Sequence, residues 1–321
     1  MKKAFVLGAG LGTRLKKLTE ELPKPMIPVF GKPLIEFAFD HLIDAGFEEF
    51  IINTHHEAKA YKEYFKTQKY RGKPLTFIHE PILLDTGGGI DNVSNILKPN
   101  PFIVYNGDIL TDLPLNDLID AHNSNNYLVT LALRSTGKAK HIALEDNKIS
   151  DIRNMLESGK DGTHMFTGIY ACSPEFLHYL KHDTKHSVIT VFLELIKDGL
   201  LGGAIIDIGE WWDLGTREAY LDAHRVLSKS EFPSYFNNLE RFSDNEISES
   251  FIGKNIKIDK SSHIAKSAII DQDTEIINSI VWPDAKVSKG SILKRCIVRN
   301  CLLYTSPSPR DRTRSRMPSS A

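Results

Sequence analysis

Between residues 1 and 228 the chain changes its hydrophobic period repeatedly, and this alternation restricts its possible folds more than any other feature. Short apolar runs, AFVLG, EFIINT, LTFIH, PFIVYN, YLVTLAL and MFTGIYA, read as strands. Between them, PLIEFAFDHLIDAG carries apolar residues at Leu34, Ile35, Ala38, Leu42 and Ile43, with Gly46 as a C-terminal stop. LNDLIDAHN and TVFLELIKDG follow the same helical spacing. Strands alternating with amphipathic helices predict an α/β fold: a mixed, mostly parallel Rossmann-like sheet flanked by helices. The antiparallel part is expected at HIALEDNKISDIR, which reads as a hairpin around Asp146-Asn147.

The alternation stops near residue 228. Residues 229–250 are polar and aperiodic and read as a linker. Beyond them Ile252, Ile258, Ile264, Ile270, Ile276 and Trp282 stand six residues apart, with a second file at Ile256, Ser262, Ala268, Thr274 and Ile280. A period of six fits neither a heptad nor a free strand. It fits a β-helix whose triangular coils stack one residue per side, over residues 251–300. Residues 301–321 break every earlier pattern. CLLYTSPSPRD and the later SRMPSSA read as translated pieces of a sequencing adaptor, so this stretch is set aside and the β-helix is expected to be truncated.

Composition narrows the function classes. A chain of 321 residues, 41% hydrophobic, can bury one large core and a smaller module. The net charge is −1, and the last 21 residues hold four arginines and one aspartate, which leaves −4 before them. No basic field calls for nucleic acid. Three cysteines with no CxxC pair argue against a thiolate zinc site or a disulfide scaffold and fit a reducing cytoplasm. Lys2 and Lys3 before AFVLGAGLG mimic a signal peptide, but Arg14 and Lys17 follow at once and no cleavage site is present. No apolar run is long enough for a membrane span.

The stretch FVLGAGLGTRLKKLTEELPKPMIPV runs from a strand straight into glycines, the usual sign that a phosphate approaches backbone. The dinucleotide pattern GxGxxG fails at its third position, which is Thr13. A Walker loop fails because Gly12 is followed by Thr13-Arg14. The wider arrangement is more specific. LGAGLGTRL, LPKPMIPV and GKPLIEF, continuing through EPILLDTGGGI, VYNGDIL, FTGIYACSPE and WWDLGTREAY, resemble the sugar-1-phosphate nucleotidyltransferases over residues 1–228. The period-six segment is similar to the left-handed β-helix appended to many of them.

That resemblance implies an enzyme that joins an NTP to a sugar 1-phosphate, giving NDP-sugar and pyrophosphate, with Mg²⁺ as cofactor. It implies Arg14 on the departing pyrophosphate and Lys24 between sugar phosphate and α-phosphate. Asp108 and Asp213 are implied as metal ligands. Leu7, Gly8, Gly10, Gly12, Thr13, Glu80, Gly87 and Gly88 are expected to bind nucleotide, the last two by letting the base lie against backbone. Gly168 is expected at the sugar phosphate. DTGGGI resembles the base loop of mannose-1-phosphate guanylyltransferases, and the appended repeats favour that reading. N-acetylmuramate- or glucose-1-phosphate uridylyl or thymidylyl transfer is the alternative. A silent regulatory subunit on the same fold is a third possibility, disfavoured because Arg14, Lys24, Asp108 and Asp213 are all retained. Homo-oligomers through the β-helix, and acyl transfer with His263 as base, are further expectations. His178, His182 and His186 recur every four residues but end in a polar segment, so no metal face is expected there. Cys172 reads as core.

Overall fold

The computed structural model of the chain describes residues 1–137, 139–229, 231, 233–236, 239 and 254–299. Ten strands form one twisted sheet: β1 (Lys3–Leu7), β2 (Glu49–Thr54), β3 (Lys69–Tyr70), β4 (Lys73–His79), β5 (Phe102–Asn106), β6 (Val129–Arg134), β7 (Ile142–Glu145), β8 (Lys148–Ile152), β9 (Met165–Cys172) and β10 (Leu201–Ile205). Their spatial order is β7-β8-β10-β6-β9-β5-β1-β2-β4-β3. The main helices are α1 (Leu34–Asp44), α2 (Asp85–Asn92), α3 (Leu115–Asn123), α4 (Val188–Lys197) and α5 (Arg217–Leu227).

The six expected strands and three expected helices all form. The hairpin also forms, with Asp146 and Asn147 at φ 45° and 65°, the left-handed pair that a two-residue turn between twisted strands requires. The expectation of a mostly parallel sheet is corrected. Four neighbouring pairs are parallel and five antiparallel. The cause is local: β8 returns by the hairpin, and β9 is reached from β8 through a loop rather than a crossover helix.

β1 shows why its sequence is continuously apolar. Ala4 and Val6 pack with α1 and α3 on one face, and Phe5 packs with α2 and α4 on the other, all three fully buried. Each fully buried large side chain contributes roughly 1.5–3 kcal/mol, so the two covered faces hold the strand ends firmly in place. Leu7 at the end of β1 pairs with Asn53 of β2 and with Asn106 of β5. The chain passes outward from β1 to β2 and β4, then returns to β5 on the other side. The crevice at these carboxyl ends is thus the switch point where open α/β sheets bind ligands.

Residues 254–299 build three short parallel sheets. Successive strands in them lie 18 or 17 residues apart, as Ile258↔Ile276↔Leu293, Ile264↔Val281 and Ile270↔Val287. Ile264, Ile270, Ile276, Val281 and Val287 share one interior. Trp282 is a correction to the six-spaced file. One circuit drops a residue near Asn278 (φ 43°), so Val281 takes the interior place and Trp282 turns outward. There its indole donates to Tyr220 Oη at 2.9 Å. Ile252 and residues 301–321 lie outside the described residues.

The expected linker is also corrected at its start. Phe236 is buried against Phe37, ring centroids 5.2 Å apart, and Tyr235 stacks on His41. His263 cannot serve as an accessible base. It is buried between Phe30 and His224, and burial pushes its pKa down to about 3. Cys172 is core, fully buried. Among the described residues, no helix is long and apolar enough to cross a membrane.

Candidate functional site

A cavity of about 420 Å³ opens at the carboxyl ends of β1, β2 and β5. Its floor is the level of Leu7, Asn53 and Asn106. One wall is the loop of residues 9–14, which ends where Gly12, at φ 62°, accepts from Leu15 N and starts the 3-10 helix Thr13–Thr19. A left-handed cap of this kind favours glycine. Gly10 and Thr13 line the cavity, and nothing stands within 4 Å of where a Cβ at Gly10 would sit. Its backbone is therefore open to a ligand.

Four residues far apart in sequence meet at the mouth. Lys24 sits in the short 3-10 turn Lys24–Met26 between Pro23 and Pro25, whose rings restrict the backbone beneath it. Its side chain is only 5% exposed, and Nζ donates to Asp108 Oδ2 at 2.8 Å and to Asp213 Oδ1 at 2.9 Å. Asp108 follows β5. Asp213 closes the strand Trp211–Asp213, which pairs antiparallel with Ile109–Thr111 and so brings the two carboxylates together. The Arg14 side chain is 63% exposed and points Nη2 at Asp213 Oδ2, 3.4 Å away. Burial works to raise the Asp213 pKa, but the charges and hydrogen bonds of Lys24 and Arg14 outweigh it and hold the carboxyl below its ordinary range.

Several expected nucleotide residues do something else. Gly8 N is already taken by Asn53 Oδ1 at 2.9 Å, and its carbonyl accepts from Tyr61 Oη at 3.1 Å. Gly8 is a packing glycine: a Cβ would stand 2.7 Å from the Asn53 carbonyl oxygen. Glu80 is fully buried behind the cavity. One carboxylate oxygen accepts from Asn53 Nδ2 at 2.8 Å and the other from Leu84 N at 3.1 Å, so it braces Asn53 rather than facing a ligand. Gly87 and Gly88 do not lie open for a base. Their N–H groups donate to the His186 carbonyl, and a Cβ at Gly87 would meet the His186 ring at 2.5 Å. They allow segment 184–186 to lie against α2. Gly168, at φ 88°, backs directly onto the Asn106 side chain.

Sequence reasoning missed Asn53, Asn106, Asp85, Lys185 and Gly215, all of which line the cavity. Asn53 and Asn106 carried a signal, since each is a polar residue ending an apolar strand. Lys185 had none: His182 reaches Asp91 and His186 reaches Gly87, and only this tertiary docking brings the lysine to the cavity.

The crevice thus holds an exposed arginine, a buried lysine and two convergent carboxylates at the switch point of the sheet. The chain belongs to the nucleotidyl transferase family, whose sequence profile matches residues 3–230. Within it, this is a sugar-1-phosphate nucleotidyltransferase, forming NDP-sugars. It is 26% identical to a mannose-1-phosphate guanylyltransferase of Mycobacterium tuberculosis over 91% of this chain and 83% of that one. It is 24% identical to a UTP–glucose-1-phosphate uridylyltransferase of Synechocystis over 92% and 82%. Among solved structures it superposes on HddC from Yersinia pseudotuberculosis complexed with GMP-PN, with TM-score 0.59 and 25% identity, over 70% of this chain and 98% of that one.

Proposed function

We propose that the chain transfers a guanylyl group from GTP to mannose 1-phosphate, with Mg²⁺, and that Arg14, Lys24, Asp108 and Asp213 carry the reaction. The observation behind the site assignment is the single point at which Lys24 Nζ meets both carboxylates. The attacking oxygen of a sugar phosphate is already ionised near neutral pH, so no base is needed to activate it. What opposes reaction is the repulsion of one phosphate anion by another, and catalysis reduces to alignment and charge neutralisation. Arg14, exposed and multidentate, suits the departing pyrophosphate. Lys24, buried and fixed by two prolines, suits a bridging place between the two reacting phosphates. The open backbone at Gly10, together with Gly12 and Thr13, suits the triphosphate; Gly168 lies behind the Asn106 side chain and would act on the sugar phosphate only through it.

The donor set fits a hard divalent cation, because one oxygen from each carboxylate already converges on one positive atom. Among the described residues, no group of three or more His, Cys, Asp or Glu side chains could hold a metal alone. Asp108 and Asp213 would therefore share the ion with phosphate oxygens and water, the usual habit of Mg²⁺. When bound, the ion would neutralise phosphate charge.

Guanine is supported by the Mycobacterium relative, by the guanine-nucleotide complex of the Yersinia structure, and by Asp85. This acceptor, at φ 63° in the cavity wall, matches the two adjacent N–H donors on a guanine edge. We also read residues 1–228 as the catalytic unit and 254–299 as coils of a left-handed β-helix through which copies associate. The 17- and 18-residue parallel register supports the stacked-coil part of this reading. The test is pyrophosphate release across GTP, UTP and dTTP against mannose, glucose and N-acetylmuramate 1-phosphates. GTP with mannose 1-phosphate should lead, and Asp108→Asn should lower kcat at least 10²-fold. A lead for UTP would transfer the assignment to uridylyl transfer, and no release from folded protein would favour a silent subunit.

A further inference from the structure

Lys24 and a divalent ion lay claim to the same place. Its ammonium is 2.8 Å from Asp108 Oδ2 and 2.9 Å from Asp213 Oδ1, which is how a small cation sits between two carboxylates. A divalent ion using those two oxygens at about 2.0–2.1 Å cannot coexist with an ammonium held there. The remaining Asp213 oxygen faces Arg14 at 3.4 Å, so both oxygens of this carboxylate already look toward a cation. Lys24 has little room to withdraw without a new partner, since its side chain is almost fully buried and its backbone is fenced by Pro23 and Pro25. An expelled ammonium left beside a divalent cation in that setting is repelled strongly. A phosphate arriving with the ion supplies the negative charge that makes the exchange favourable.

We propose that Lys24 is a resident cation that excludes free metal from the site, and that the ion is admitted only together with a nucleotide, whose phosphates take over the displaced ammonium. This rests on the reading of Asp108 and Asp213 as metal ligands. It adds two consequences. Metal and nucleotide binding are positively coupled, each raising the affinity for the other by the same factor. Lys24 also changes partners in every cycle: two carboxylates in the free protein, phosphate oxygens in the loaded one.

The test needs no turnover. Mn²⁺ alone, without nucleotide, is titrated into the full chain and followed by the EPR signal of the free ion. Lys24→Met, which keeps the length and removes the charge, should bind Mn²⁺ at least tenfold more tightly than the wild-type protein. Lys24→Gln should do the same and guards against a packing defect peculiar to methionine. Circular dichroism establishes that both are folded. Adding Asp108→Asn to Lys24→Met should abolish the gain. Unchanged or weaker Mn²⁺ binding by both folded Lys24 variants would overturn the exclusion, even if Asp108→Asn weakened binding. A gain that survives Asp108→Asn would instead overturn the ligand assignment. Separately, a free-ion signal that, with protein and a non-hydrolysable GTP analogue both present, falls no further than the binding of Mn²⁺ to each alone accounts for would overturn the coupling.

Discussion

Gly215 has no side chain at the point where a Cβ would stand 2.5 Å from Arg14 Nη2 and 2.8 Å from Asp213 Oδ1. Those atoms are the far ends of side chains, so an added methyl group displaces them instead of breaking the fold. Gly215→Ala is therefore expected to push the Arg14 guanidinium off Asp213. KM for the nucleotide should rise about three- to tenfold, with a melting temperature within 2 °C or so of the parent, measured by steady-state kinetics and calorimetry. The charged members of this site were legible in the sequence through the motifs that carry the family resemblance: an arginine after glycines, a lysine between prolines, an aspartate just beyond an apolar strand and another after two tryptophans. The glycines were not. Gly8, Gly87 and Gly88 look like ligand-facing glycines in a linear chain, and only the packed neighbours Asn53, Thr184 and His186 show that each makes room for protein.

At the scale of elements, the docking of α2 on segment 184–186 decides whether Lys185 reaches the cavity. Gly87→Ala would drive a methyl group into the His186 ring, 2.5 Å away, and toward its carbonyl at 3.0 Å. It should cost about 1–3 kcal/mol of stability and weaken nucleotide binding, read by denaturant melts and by calorimetric titration with GTP. His186→Ala in the same chain should recover part of the stability. Elements were the most legible level, since a period of 3.6 or 2 is a property of the local sequence. Their arrangement was less so. The antiparallel entry of β9 depends on a loop with no helical pattern, and the 17-residue circuit depends on a single missing residue near Asn278, invisible to a count that assumes strict repetition.

Across the whole molecule, buried histidines tie stability to pH. Burial lowers His41 and His224 to about 4 and His263 to about 3, against an ordinary 6.5. In the fold all three stay neutral while the unfolded chain takes up protons, so stability is full above about pH 6.5 and is lost as pH falls below it. Each should cost roughly 2 kcal/mol between pH 7 and pH 5, a loss that urea melts at the two values would register. His263→Phe should flatten that dependence by its own share. Two of these histidines stand where the three-sheet segment meets residues 1–228, and that contact has a particular shape. His263, Trp282 and Arg299 come from successive strands of one sheet or its edge, and they reach Phe30, Tyr220 and the pair Glu20 and Glu21. The segment is thus attached along its flank, with its stacking axis running past the enzyme. Attachment of that kind is graded by length: each added circuit would lay down another strip of contact, so the grip on the helix bearing Arg14 could be tuned by repeat number alone, leaving the chemistry of the crevice untouched.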